Sequence, residues 1–308
     1  METIEVPDDR PVYSFNSKQA PAVWVKSGTR VKFRPSDESY RAMTGELIDS
    51  GRVNFQKVNR LVGPVGIQDS SRGDALGVRI ESIEVGPRAF MVYPARWRSR
   101  TFRIPESMVL ELPIREGFAY LPDGGRVAAH PMIGCIGVAP SSGSVSALSP
   151  ASPTGGNMDL VELVAGATIW LPVQIDGALL SLGDLHVRMG RGEAVGAGLE
   201  CGGTVIALLS LARNVELTCP VVMDSAHIHF IGMHAEESAE AEHLAVGAAW
   251  EWLAQDVTLA EATRLSICAS LLDVNHGGPA GANVVASFRL DELTLAGVDF
   301  AVFPLRAS

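Results

Sequence analysis

The feature that most restricts this chain is its punctuation. Thirty-one glycines and 18 prolines are spread through 308 residues, and most fall between short apolar runs. Helix interiors tolerate neither residue well, whereas tight turns call for both. The spacing therefore predicts many short strands in place of long helices.

Strand candidates follow from the runs themselves. Residues 22–25, a Lys26-Ser27-Gly28 turn and residues 31–33 read as a hairpin. Residues 75–85, after Gly73-Asp74, alternate as a sheet with one wet face would. Further strands are expected at 89–93, 108–112 and 168–173, and at 283–288 after the Gly277-Gly278-Pro279 break. Helices are expected only in the later half. One covers 235–253; a second begins at Thr258, with Thr258 as N-cap and Glu261 three residues on as a capping box. No internal repeat and no regular βαβ winding emerges. The expected fold is α+β and predominantly β, with short strands in sandwich-like or barrel-like packing and a few helices in the later half. Residues 1–150 form a β-rich N-terminal portion and residues 151–308 a β-rich C-terminal portion with helices near 235–272, the two sharing one active-site cleft.

A chain of this length can bury a substantial core. Its formal net charge of −10 opposes a dense phosphate-gripping surface, so no nucleic-acid partner is expected. The local exception, Arg96-Trp97-Arg98-Ser99-Arg100, reads as a solvated or interface segment. The N-terminal METIEVPDDRP has no apolar targeting core, and no apolar run reaches membrane-spanning length. Cys135, Cys201, Cys219 and Cys268 are scattered without a CxxC pair, which fits reduced thiols and a cytoplasmic location.

Chemistry concentrates in 177–203, GALLSLGDLHVRMGRGEAVGAGLECGG, where Asp184, His186, Glu193 and Glu200 stand among small and apolar residues. On a strand, Asp184 and His186 at i and i+2 share a face. They can offer oxygen and nitrogen to zinc or another divalent ion, with His130, Asp159 or Glu200 as further ligands; an Asp–His pair holding a turn fits the same spacing. Glu193, after Gly190-Arg191-Gly192, is placed to act as a proton acceptor, or is an exposed turn residue. His130, before Pro131, is open as ligand, donor or structural histidine. Gly155-Gly156-Asn157 can present amide donors to a carbonyl oxygen, or form an ordinary turn. His227 and His229, with His234 nearby, repeat the i,i+2 arrangement and rank second as a metal site. The Ser/Pro/Gly-rich stretch 139–157 is long enough for a lid or site-forming loop. GxGxxG, GxxxxGK[ST] and GxSxG patterns are missing, so nucleotide binding and a serine triad have no support.

HPMIGCIGVAP (130–140), PTGGNMD (153–159) and GALLSLGDLHVRMGRGEAVGAGLE (177–200) resemble, in order and spacing, the acetamidase/formamidase family. Residues 59–80 are similar to that family's Asn-Pro-x-Thr-Gly-Pro segment and the Gly-Asp strand after it. The resemblance implies a β-rich fold, a homo-oligomer (dimer or tetramer), a divalent metal, most often zinc, and no organic cofactor. It further implies hydrolysis of a short linear amide to ammonia and a carboxylate. A lactam, carbamate or larger amide, or a non-catalytic small-molecule-binding role on the same fold, stands as the alternative. By position it makes Asp184, His186, His130 and Asp159 the metal set, and Glu193, Asn157, His130 and Glu200 the catalytic set. Val187, Met189 and Arg191 depart from the family's usual Ala, Gln and acidic residue, and Arg60 and Val62 from its Pro and Thr, which alters the surroundings of the substrate more than the reacting groups.

Overall fold

The computed structural model of the chain describes residues 2–278, 283–300 and 305. Two large mixed sheets face each other. The first has nine strands and is centred on the long antiparallel pair Ala75–Val85 and Gly203–Ala212. The second has ten, with Leu180–His186 flanked by Met132–Gly137 and Leu199–Cys201 and also paired to Leu61–Ile67. The main core lies between them: Phe33, Leu76, Val78, Ile80, Val205 and Leu209 from the first sheet pack with Val65, Ile67, Ile133, Ile136, Leu182 and Leu185 from the second. This is a predominantly β, sandwich-like α+β fold and not a closed barrel. Both sheets take strands from both halves of the chain.

Six helices surround the sandwich among the described residues. Three are short: α1 (Glu38–Arg41), α2 (Gly45–Asp49) and α3 (Ala95–Phe102). The later ones are α4 (Ser238–Ala254), α5 (Glu261–Leu271) and α6 (Leu290–Leu295). α4 buries Ala241, Ala245, Ala249 and Trp252 in a second core with Phe230 and Phe288 of the outer strands. The long helices thus lie in the later half as the sequence predicts, but the earlier half contributes α1–α3. The reason such pieces escape a periodicity reading is their length: four to eight residues do not complete enough turns to show a 3.6-residue repeat.

Two local expectations are corrected. Residues Val23–Val25 and Arg30–Phe33 are strands, but not a hairpin: the first runs parallel to Leu61–Ile67 in the second sheet, and the other pairs with Gly203–Ala212 in the first. The Lys26-Ser27-Gly28 turn therefore crosses between sheets. α5 begins at Glu261 after Ala260, and no side chain caps it. Thr258 is occupied elsewhere, donating its hydroxyl and backbone N–H to Asp256. Strands at Ala75–Val85, Arg88–Tyr93, Met108–Arg115, Thr168–Pro172 and Asn283–Arg289 fall where the alternation puts them. Pro279 of the predicted break lies outside the described residues.

Candidate functional site

The site is assembled at the centre of the ten-stranded sheet. Antiparallel register sets Glu200 directly across from His186. On the other side Cys135 faces both Gly183 and Asn157, and the chain leaves Gly155–Asn157 to place Asp159 beside them. The backbone N–H groups of Met158 and Asp159 both donate to Gly134 O, fixing that approach. Gly134 is required by space: a β-carbon there would lie 2.6 Å from Asp184 Oδ2 and 2.7 Å from Asp159 Oδ1.

His186 Nε2 is the hub. It lies 3.1 Å from Glu200 Oε2, 3.8 Å from Asp159 Oδ1 and 4.0 Å from Asp184 Oδ1. One donor atom from each of Asp159, Asp184 and His186 falls within 4.8 Å of the others. Asp159, Asp184, His186, Glu193 and Glu200 are all buried. Yet Asp159 Oδ1, His186 Nδ1, Glu193 Oε2 and Glu200 Oε2 have no hydrogen-bond partner. Buried polar atoms are nearly always satisfied, so four in one place point to a ligand.

A polar collar holds the carboxylates. Tyr40, from α1, donates its hydroxyl to Asp184 Oδ1 at 2.5 Å. Asn59 Nδ2 lies 3.1 Å from Asp184 Oδ2 and 3.2 Å from Asn157 Oδ1, and Cys135 Sγ donates to Asn157 Oδ1 at 2.8 Å. Asn157 therefore has its carbonyl oxygen engaged and its NH₂ left as a donor. Gly198 N–H donates to Glu200 Oε1 at 3.0 Å.

The electrostatics follow from packing acids together without water. Burial, reinforced by Asp184, pushes Asp159 up to about 8, and burial with Glu200 pushes Asp184 up to about 6. Burial and Asp159 carry Glu193 well above the carboxylate range. Burial opposes charge on His186, but Glu200, Asp184 and Asp159 outweigh it and hold the imidazole well above its ordinary value. Burial first, then Asp184, raises the Tyr40 hydroxyl and the Cys135 thiol well above theirs, so both remain protonated donors. The cluster calls for protons or a cation.

Above it opens a cavity of about 650 Å³. Asp159, Asp184, Glu193, Glu200, Asn59 and Asn157 form its buried floor, and Met43, Val58 and Val92 its walls. Exposed Gln56, Arg96 and Trp97 stand at the mouth with half-buried Arg98. Arg96, Trp97 and Arg98 thus line the cavity, where the sequence suggests a solvated or interface segment. Leu148, from the Ser/Pro/Gly-rich stretch, lines it too.

The structure therefore brings together Asp159, Asp184, His186, Glu200, Glu193 and Asn157. It leaves His130 outside: that residue is exposed, does not line the cavity, and its backbone N–H donates to Val187 O. The second-ranked group also forms, with Asp224, His227 and His229 offering donor atoms within 4.8 Å, although His227 and Asp224 are partly exposed. His234 does not join it, because its Nδ1 accepts the N–H groups of Glu236 and Glu237 at the entry to α4. Tyr40 and Asn59 went unnamed in the sequence as site residues. Asn59 opens a segment that resembles the family, the one signal available; nothing local marks Tyr40.

A model of the Acetamidase/Formamidase family matches residues 144–252. Solved structures align over the whole chain: a protein of Thermoanaerobacter tengcongensis described as a predicted acetamidase/formamidase (TM-score 0.87, 26% identity, 97% of this chain and 98% of that one), and an acetamidase of Bacillus halodurans (TM-score 0.87, 26% identity, 96% and 100%). The chain is homologous to the acetamidase/formamidase family. A Schizosaccharomyces pombe protein bearing the name formamidase is 29% identical over 110 residues; that match spans 31% of this chain but 27% of the longer relative. The family is one of enzymes, and the buried acid–imidazole cluster of Asp159, Asp184, His186, Glu193 and Glu200 lies inside the matched segment. No helix among the described residues is long and apolar enough to cross a membrane.

Proposed function

We propose that this chain is a metal-dependent hydrolase of an amide C–N bond. Asp159, Asp184 and His186 are the cation ligands and Glu193 is the general base. The observation that carries this reading is the set of unpartnered oxygens and nitrogen around His186 at the foot of an open cavity. A mixed nitrogen and oxygen donor set suits zinc, which when bound would supply Lewis acidity and make water nucleophilic near neutral pH.

The side chains divide the remaining work. Glu193, with a free Oε2 facing the cavity floor, takes the proton of the attacking water and returns it to the departing nitrogen. Glu200 is the poorer base, since one oxygen is held by Gly198 N–H and the other faces His186; it orients the imidazole. Asn157 directs its NH₂ toward the carbonyl oxygen as negative charge develops there. His130, exposed and outside the cavity, has no part in this scheme. Ammonia or an amine leaves with a carboxylate. The cavity volume favours substrates beyond formamide or acetamide, because about 650 Å³ is the size of pockets that hold drug-sized ligands. Four unpaired cysteines fit a reducing, cytoplasmic setting.

Ammonia or amine release from primary amides, lactams and carbamates tests the reading. Release should stop on chelation and return with zinc. Glu193→Gln should lower kcat about 100-fold or more while metal content and folding stay unchanged. No release from any of these classes by the metal-loaded protein would overturn hydrolysis and leave a binding protein on this fold.

A further inference from the structure

Two arginines at the cavity mouth stand without a carboxylate partner. Arg30, Arg60, Arg88, Arg191 and Arg213 all pair with a carboxylate. Arg96 and Arg98 make no ion pair among the described residues, in a chain with 35 acidic and 25 basic side chains. What sets these two apart is their place, since both stand open at the same cavity mouth.

Their settings make them receptors. The Arg96 guanidinium carbon lies over the rings of Phe55 and Trp97, 4.2 and 4.5 Å from their centroids. These ring contacts are not hydrogen bonds, so the guanidinium N–H groups stay available to an anion. Arg98 is half-buried, and its Nε is buried without a hydrogen-bond partner. Its guanidinium rests against Gly196, with Nε 3.3 Å from where a β-carbon would stand. Between these cations and the acidic floor, the cavity is walled by Met43, Val58, Val92 and Trp97.

From this polarity we infer that the substrate is an amide carrying an anionic group, a carboxylate, at the far end of an apolar body. The inference rests on the amide-hydrolase reading for which end reacts. The floor acids repel the carboxylate and the mouth arginines hold it, so the neutral amide end enters first. Arg96 and Arg98 thereby become specificity-determining residues that set orientation, and the distance between floor and mouth selects the length of the body.

The test uses the zinc-loaded full chain and α,ω-dicarboxylic acid monoamides of four to eight carbons, each against the primary n-alkylamide of equal length. The monoamide should be preferred in kcat/KM by about tenfold or more at one favoured length, the preference residing in KM. Arg98→Gln and Arg96→Gln should bring that ratio toward one, and Arg98→Lys, keeping charge without the fork, should recover part of it. Alkylamides turned over as well as monoamides at every length, or an Arg98→Gln effect equal on both series, would overturn the inference. If no amide is cleaved, calorimetric titration with the same compounds separates the two ideas. Tighter, length-dependent binding of the monoamides that Arg98→Gln abolishes upholds the anion site and refutes hydrolysis; equal or absent binding refutes both.

Discussion

Asp184 occupies the left-handed region, at φ 59°, inside a fully buried strand, and Asp159 and Glu193, in the connections between strands, lie in the same region at φ 46°. Non-glycine residues held there cost on the order of 1–3 kcal/mol each, and such residues gather at functional sites because the surroundings enforce them. The i,i+2 spacing of Asp184 and His186 was legible in the sequence as a shared face; the kink at Asp184 was not, since regular alternation assumes extended backbone. Nor was Tyr40, which reaches Asp184 from 144 residues away by a contact no spacing encodes. His130 shows the opposite limit: a motif match fixes a position in the chain, not the direction of a side chain. Tyr40→Phe leaves the ring in place but deprives one oxygen of a buried carboxyl of its donor, so urea denaturation should register a loss of about 1–3 kcal/mol. Gly134→Ala is the sharper probe, because its β-carbon would displace Asp184 and Asp159 together. Elemental analysis after dialysis against zinc should find the variant with little or no tightly held metal; stoichiometric zinc in a folded Gly134→Ala protein would show that these two acids do not hold it.

At the level of elements, alternation located Ala75–Val85, whose Leu76, Val78 and Ile80 pack between the sheets, although its other face is covered at the start and opens only from Arg79 on. It could not say which sheet a strand joins. Trp24 and Val31 stand on neighbouring strands in sequence, yet their partners lie in different sheets. α3 illustrates the same limit: its arginines read as solvated because polarity is visible in a sequence and the cavity beneath is not. The start of Ala75–Val85 depends on an element junction with a pH signature. Asp74 is buried, and it accepts the N–H groups of Ser71 and Asn214 and an Arg213 contact at 2.8 Å. Burial works against its charge, but these donors outweigh it and hold the carboxyl below its ordinary value. A depressed folded-state pKa contributes stability above the unfolded value of about 3.9 that is lost as pH falls through the folded one. Asp74→Asn should therefore lower Tm clearly at pH 7, and the gap from the unsubstituted protein should close as the pH is taken toward 3. A gap that is constant or widens with acid would mean the contacts act through packing and not through charge.

At the scale of the molecule, carboxylates and imidazoles converge in two places among the described residues, and the two differ in how the fold uses them. Asp159, Asp184 and His186 lie in the middle of the ten-stranded sheet, between strands drawn from distant parts of the chain. His227 and His229 sit on one strand of the other sheet, His227–Met233, and Asp224 lies in the turn just before it, already engaged by the N–H groups of Ala226 and His227. A cation in the first group would tie together segments that unfolding separates; one in the second would join residues that stay near each other in any state. Binding to the folded form alone adds stability by mass action, about 2.7 kcal/mol at a free concentration 100 times Kd. For a chain of this size that corresponds to a rise in Tm of about 5 °C. Chelated protein should regain that increment when zinc is added. Asp184→Asn should abolish the response, while Asp224→Asn should keep most of it, since the buried acids it leaves untouched are the ones that need the charge. If instead Asp224→Asn removes the shift and Asp184→Asn preserves it, the cation belongs to the strand pair at His227, and the buried cluster holds protons in its place.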